Sequence, residues 1–191
     1  MKLVVGLGNP EGRYAGTRHN LGFEVLDEFV RKMEAGNWQM EDKFKSEVIK
    51  SGDIIFAKPQ TYMNNSGMAI SALVNFYKIS SSDVIIVYDE LDLPLGKIKV
   101  RKGGAAAGHH GVESIIKSLG TDQFIRVRLG IGNLKTESSE HGQAHIDANH
   151  YVLEPFMHSE KSKVKHMIKQ ALVALDTLLD KGLDIAQNQY N

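Results

Sequence analysis

Two side chains in this sequence could handle a proton at neutral pH. His19 stands between Arg18 and Asn20 in MKLVVGLGNPEGRYAGTRHN, and Asp89 opens the acidic cluster Asp89-Glu90-Leu91-Asp92. An imidazole exchanges its proton near pH 7, and a carboxylate bonded to one ring nitrogen fixes the tautomer that lets the other nitrogen take a proton from water. Each residue follows an apolar run that reads as a strand, Lys2 to Leu7 and Asp83 to Tyr88. Ligand crevices in open α/β sheets form at the carboxyl ends of strands. On spacing alone two readings stay open: a base with its orienting acid, or a structural histidine and a strand-ending turn aspartate.

The elements that must position this pair alternate along the chain. Gly6, Gly8, Asn9 and Pro10 end the first strand. Leu21, Val25, Leu26, Phe29, Val30 and Met33 then fall at helical spacing. Phe44 to Ile49 and Ile54 to Pro59 read as a hairpin closed by Ser51-Gly52-Asp53, followed by the loop PQTYMNNSG and a helix from Ser66 to Tyr77. VIIVY within Asp83 to Tyr88 is apolar throughout, which predicts a central strand covered on both faces, ending at the DELD cluster. Lys97 to Arg101 and Phe124 to Ile131 alternate as strands, each with a basic face, around GGAAAGHHG and a helix from Val112 to Leu119. Asn133 to His145 reads as a mobile polar loop. Ser159 to Lys181 reads as a helix with the apolar stripe Val164, Ile168, Leu172, Leu175 and Leu179 and a lysine face at Lys161, Lys165 and Lys169. The expectation is an α/β fold, one domain over residues 1–191, with a mixed, mostly parallel twisted sheet and helices on both faces.

The 191 residues suffice for a core without metal or disulfide support, and the absence of cysteine removes thiolate chemistry and suits a reducing compartment. The opening apolar stretch is too short for a signal peptide and no run approaches a membrane span, so a cytoplasmic location is expected. With 23 basic and 23 acidic side chains the net charge is zero, and a polyanion must be met by a local patch. Lys97, Lys99, Arg101, Lys102, Arg126 and Arg128 supply one on two strands, where clustering of like charge favours a phosphate-backbone site over a merely solvated face.

Other motifs carry less. GLGNPEG has Glu11 where a dinucleotide fingerprint needs its third glycine, and GGAAAGHHG lacks the Gly-Lys-Ser/Thr ending of a P-loop. His141 and His145 are four apart, but HGQAH has no zincin glutamate, and with the adjacent His109 and His110 no closed ligand set is visible in the spacing; no metal is expected.

Taken together, NPEGRYAGTRHNLG, TYMNNSG, DELDLPLG and GHHG before a helix, with RVRLGIG after it, resemble bacterial peptidyl-tRNA hydrolases over nearly the whole chain. The resemblance implies an enzyme that hydrolyses the ester between a stalled nascent peptide and its tRNA, acting as a monomer without cofactor or metal. It implies His19 as general base and Asp89 as its orienting partner. Asn9 and Asn64 would position the peptide end and the scissile carbonyl, with Tyr14 in the same substrate-binding motif. His109 would stand in the substrate cleft, while Lys99, Arg101 and Arg128 would grip the tRNA end and its phosphates. The family's usual Gly-Gly-His-Asn-Gly is here Ala107-Gly108-His109-His110-Gly111, so His110 replaces an expected amide with a larger group that has fewer hydrogen-bonding options. Ala107 is expected to stiffen its loop, provided its φ is negative. Two alternatives remain: an RNA-binding relative of the same fold without hydrolysis, which has no use for a base and its orienter, and a nucleotide-cofactor enzyme, which the broken fingerprint disfavours.

Overall fold

A computed structural model describes residues 1–132 and 147–191. The expected polar loop, with His141 and His145, lies outside the described residues. Thirteen elements order the rest: β1 (Lys2–Gly6), α1 (Leu21–Lys32), β2 (Gln39–Glu41), β3 (Ser46–Ser51), β4 (Ile54–Pro59), α2 (Ser66–Tyr77), β5 (Val84–Pro94), β6 (Ile98–Lys102), α3 (His110–Leu119), β7 (Ile125–Gly132), α4 (Ala148–Val152), α5 (Lys161–Asp180) and α6 (Leu183–Tyr190). No helix among the described residues is long and apolar enough to cross a membrane.

The seven strands form one sheet in the order β2-β3-β4-β1-β5-β7-β6. The central pairings β4–β1, β1–β5 and β5–β7 are parallel, and antiparallel strands finish both edges. Strands β1 and β5 are central and buried on both faces, which is why their sequences are apolar without alternation. Val4, Ile85 and Val87 join the core under α1, α5 and α6. Leu3, Val5, Val84, Ile86 and Tyr88 join the core under α2 and α3.

Several boundaries differ from expectation for identifiable reasons. Phe44 belongs to a 3-10 turn, and Lys45 in the left-handed region delays β3 to Ser46. The long helix α5 buries Met167, Ala171, Ala174 and Leu178 beside Val164 and Leu175, a wider face than the expected stripe, because it packs on both the sheet and α6. The short strand β2 and helix α6 have no strong period in the sequence and were not expected.

The consequential difference is in β5, which runs through the acidic cluster to Pro94 instead of ending at Tyr88. Its neighbour β1 leaves the sheet after Gly6, opposite Val87, while β7 continues alongside Asp89 and Glu90. Asp89 therefore sits inside a strand that has lost one neighbour, and the vacated flank is the crevice. Helix α1 crosses this point in very close contact: a Cβ on Gly22 would lie 2.4 Å from the Val87 carbonyl oxygen and 2.5 Å from the Leu7 nitrogen. Backbone cannot yield as a flexible side chain does, so Gly22→Ala is expected to lower stability by about 2 kcal/mol or more, measured by urea unfolding. Unchanged stability would show that α1 can shift freely against the sheet.

Candidate active site

The turn that leaves β1 and the turn that enters α1 are stitched together by one side chain. Asn20 accepts from the Asn9 backbone N–H at 2.9 Å and donates its amide to the Asn9 carbonyl at 2.9 Å. Asn9 in turn accepts the Met63 N–H on its Oδ1 at 2.8 Å, tying in the 3-10 turn Met63–Asn65. With its backbone and Oδ1 engaged, Asn9 has Nδ2 left as a donor.

His19 occupies the 3-10 turn Arg18–Asn20 immediately before α1. Its Nδ1 lies 3.0 Å from each oxygen of Asp89. The same carboxylate is 3.1 Å from Nε2 of His109, whose Nδ1 caps α3 by accepting the Val112 N–H. That cap assigns the tautomers: His109 carries its hydrogen on Nε2 and donates it to Asp89. His19 donates from Nδ1 to the carboxylate, which leaves its Nε2 unprotonated in the neutral ring. The imidazoles lie 4.9 Å apart, and Tyr88 meets His109 edge-on.

Asp89 is 2% exposed. Burial by itself pushes its acid up, but the charges and N–H groups of His19 and His109 outweigh burial and hold the carboxyl well below its ordinary range. Burial, and next the Glu90 charge, raise the Tyr88 phenol, so that group stays neutral beside them.

Asn9, His19, Asp89 and His109 line a cleft of about 540 Å³ together with Asn64, Tyr62, Met63, Leu91 and His110, and Val152 and Leu153 from α4 and its end line it too. A larger groove of about 720 Å³ between α1 and α5 is lined by Glu24, Arg31, Lys165, Ile168 and others, and no histidine lines it. One nitrogen each from His19 and His109 and one Asp89 oxygen fall within 4.8 Å of one another, a possible metal-ligand set that linear spacing did not show. In the tautomers above His19 Nδ1 and His109 Nε2 carry hydrogens, so a cation at those atoms would break both bonds to Asp89 and, with the His109 hydrogen moved to Nδ1, the α3 cap.

The peptidyl-tRNA hydrolase family model matches residues 3–191. The chain belongs to the peptidyl-tRNA hydrolase family. It is 42% identical to the peptidyl-tRNA hydrolase of Dehalococcoides mccartyi, with all of both chains covered. It is 46% identical to that of Aquifex aeolicus, covering all of this chain and 96% of the other. The crystal structure of the Acinetobacter baumannii peptidyl-tRNA hydrolase superposes with a TM-score of 0.88 at 32% identity, covering all of this chain and 94% of that one.

Not every residue suggested by the family motifs reaches the cleft. Asn9, His19, Asn64, Asp89, His109 and His110 line it; Tyr14 does not, and its ring instead stacks with the Arg13 guanidinium. His110 is exposed at the mouth, with Nδ1 3.3 Å from the Glu113 carboxylate. Ala107 has φ +49°, so the condition for a stiffening alanine fails. A left-handed conformation costs a non-glycine residue about 1–2 kcal/mol.

The basic strands divide in two. Lys99 and Arg101 are exposed on the edge strand β6 and, among the described residues, form no ion pair. Arg126, expected in the surface patch, is buried at 2% exposure and donates to the Ala105 and Gly104 carbonyls, so it shapes the glycine-rich loop instead. Arg128 is matched by the buried Glu90 at 2.9 Å. The motifs give no role to Glu90, Asn20 or Arg18, although all three adjoin His19 or Asp89 in the sequence.

Because the Asp89 acid is lower in the folded than in the unfolded chain, the stability contributed by its charge is present above the ordinary carboxylate value of about 4 and is lost as pH falls toward the folded value. The difference in unfolding free energy between wild type and Asp89→Asn is expected to shrink steadily below about pH 4 in urea titrations. A difference that does not vary with pH would contradict the two-histidine clamp.

Proposed function

We propose that His19 is the general base for hydrolysis of the ester joining a nascent peptide to tRNA, the reaction of the family to which the chain belongs. The observation that carries this assignment is the 3.0 Å contact between Asp89 and His19 Nδ1, which leaves Nε2 as the acceptor. Water gives a proton to Nε2 as its oxygen adds to the ester carbonyl; the tetrahedral intermediate then expels the tRNA ribose oxygen, which takes that proton back from His19 and restores the neutral base. The products are free peptide and tRNA. Asn9 Nδ2 and Asn64 are the neutral amide donors suited to the peptide backbone and the developing oxyanion. His109 steadies the Asp89 carboxylate, and His110 at the cleft mouth contacts substrate.

Lys99 and Arg101 are assigned to the tRNA phosphates, supported by their exposure and unpaired charge; Arg128, held by Glu90, completes that edge. On this reading the enzyme works in the cytoplasm on peptidyl-tRNA, as a monomer and without a metal.

His19→Ala is expected to lower kcat on N-blocked aminoacyl-tRNA by about 10²–10⁴-fold while tRNA binding persists. Wild-type binding without cleavage would favour the non-hydrolytic alternative. Replacing both Lys99 and Arg101 with Ala is expected to raise KM for full-length substrate and flatten its salt dependence, with less effect on a short nucleotide ester. Equal losses on both substrates would make the two residues structural.

A further inference from the structure

Arg18 precedes the candidate base, yet it does not line the cleft, and at 2% exposure its charge is almost wholly enclosed. Among the described residues, every partner of its side chain lies in residues 151–160. Nη1 donates to the carbonyls of Glu154 at 3.1 Å and Pro155 at 2.8 Å, and Nη2 meets the Glu160 carboxylate at 2.9 Å. The guanidinium carbon lies 4.2 Å from the Tyr151 ring centre and 5.2 Å from that of Phe156. The backbone adds the Arg18 N–H to the Glu154 carbonyl and a bridge between Thr17 and Pro155.

The segment so gripped continues from a wall of the cleft, which Ala148, Asn149, Val152 and Leu153 line together with His19. The Tyr151 hydroxyl also ties the segment to the sheet, donating to the Ile131 carbonyl at 2.7 Å. Glu160 is itself buried and also accepts the Met157 N–H, so the acid that neutralises Arg18 also shapes the entry to α5.

We propose that Arg18 is a positioning residue that sets the α4 wall of the cleft at a fixed distance from the turn carrying His19, and so determines how substrate is held against the base. The physical case rests on the shape of the group. A buried ion pair adds little net stability over an apolar replacement of similar size, and here Nε finds no partner at all among the described residues. A planar guanidinium can, however, address two carbonyls and a carboxylate at once while its faces stack on aromatic rings. Three directional bonds to one segment fix its orientation as a greasy contact does not.

The proposal rests on the assignment of His19 as base, and two readouts separate them. In Arg18→Lys the charge opposite Glu160 persists, but an ammonium cannot reproduce the fork or the stacking. This variant is expected to raise KM for N-blocked aminoacyl-tRNA by about tenfold with kcat within about threefold, and to leave the acid limb of the kcat pH profile in place because the His19–Asp89 contact is untouched. Amide hydrogen exchange is expected to accelerate at residues 148–153 and not at 84–94, whether or not the wild type cleaves this substrate. An unchanged KM in a folded variant, a displaced acid limb, or unchanged exchange at 148–153 would each overturn the proposal. Should Arg18→Lys fail to fold, Glu160→Gln and Phe156→Leu are expected to move KM and exchange in the same direction by smaller factors. If the wild type does not hydrolyse the ester, the base assignment fails, and exchange at 148–153 still decides whether Arg18 holds the wall.

Discussion

The site depends on one carboxylate that accepts hydrogen bonds from two imidazoles inside the protein. Asp89 has almost no contact with solvent, and an unpaired charge there would be costly. Its two histidine partners come from opposite ends of the fold's logic: His19 from the turn between β1 and α1, His109 from the cap of α3. Satisfying the carboxylate therefore requires that both turns and the middle of β5 be in place together. In return it fixes the tautomers of both rings, which is what converts an ordinary histidine into a directed proton acceptor.

The surrounding structure serves that convergence. Strand β5 outruns β1 and opens a flank beside Asp89; Gly22 lets α1 press against the end of β1 and deliver His19 to that flank. Asn20 locks the two neighbouring turns to each other, and Asn9 links them to the turn bearing Asn64. Three arginines then attach the peripheral pieces: the buried Arg126 the glycine-rich loop, the half-buried Arg128 the acidic stretch of β5, and the buried Arg18 the wall beside the His19 turn. The exposed cations Lys99 and Arg101 stand apart from this work, at the sheet edge where a polyanion could reach them.

One point of backbone strain lies beside the cleft. Ala107 adopts a left-handed backbone that glycine reaches more cheaply, and it lines both the cleft and the small basic pocket beside Arg101 and Arg128. His110 brings an imidazole paired with Glu113 to the cleft mouth in place of an amide. Both substitutions lie on the rim and leave the Asp89 clamp intact.

Much of this was legible in the linear sequence, because periodicity reports burial directly. The apolar runs of β1 and β5, the stripe of α1 and the bounds of α2 follow from residue type, and the motifs named His19, Asp89, Asn9 and Asn64. What residue order could not express was where strands stop relative to their neighbours and which charges are enclosed. DELD reads as a polar strand ending, yet pairing with β7 carries β5 through it. Arg126 and Arg101 look alike on alternating strands, but one lies under a loop and the other faces outward. Arg18 and His109 read as a neighbour and a cleft residue, and became a clamp and a second carboxylate partner. These outcomes depend on contacts between residues 20 to 142 positions apart, and such contacts exist only once the chain has closed on itself.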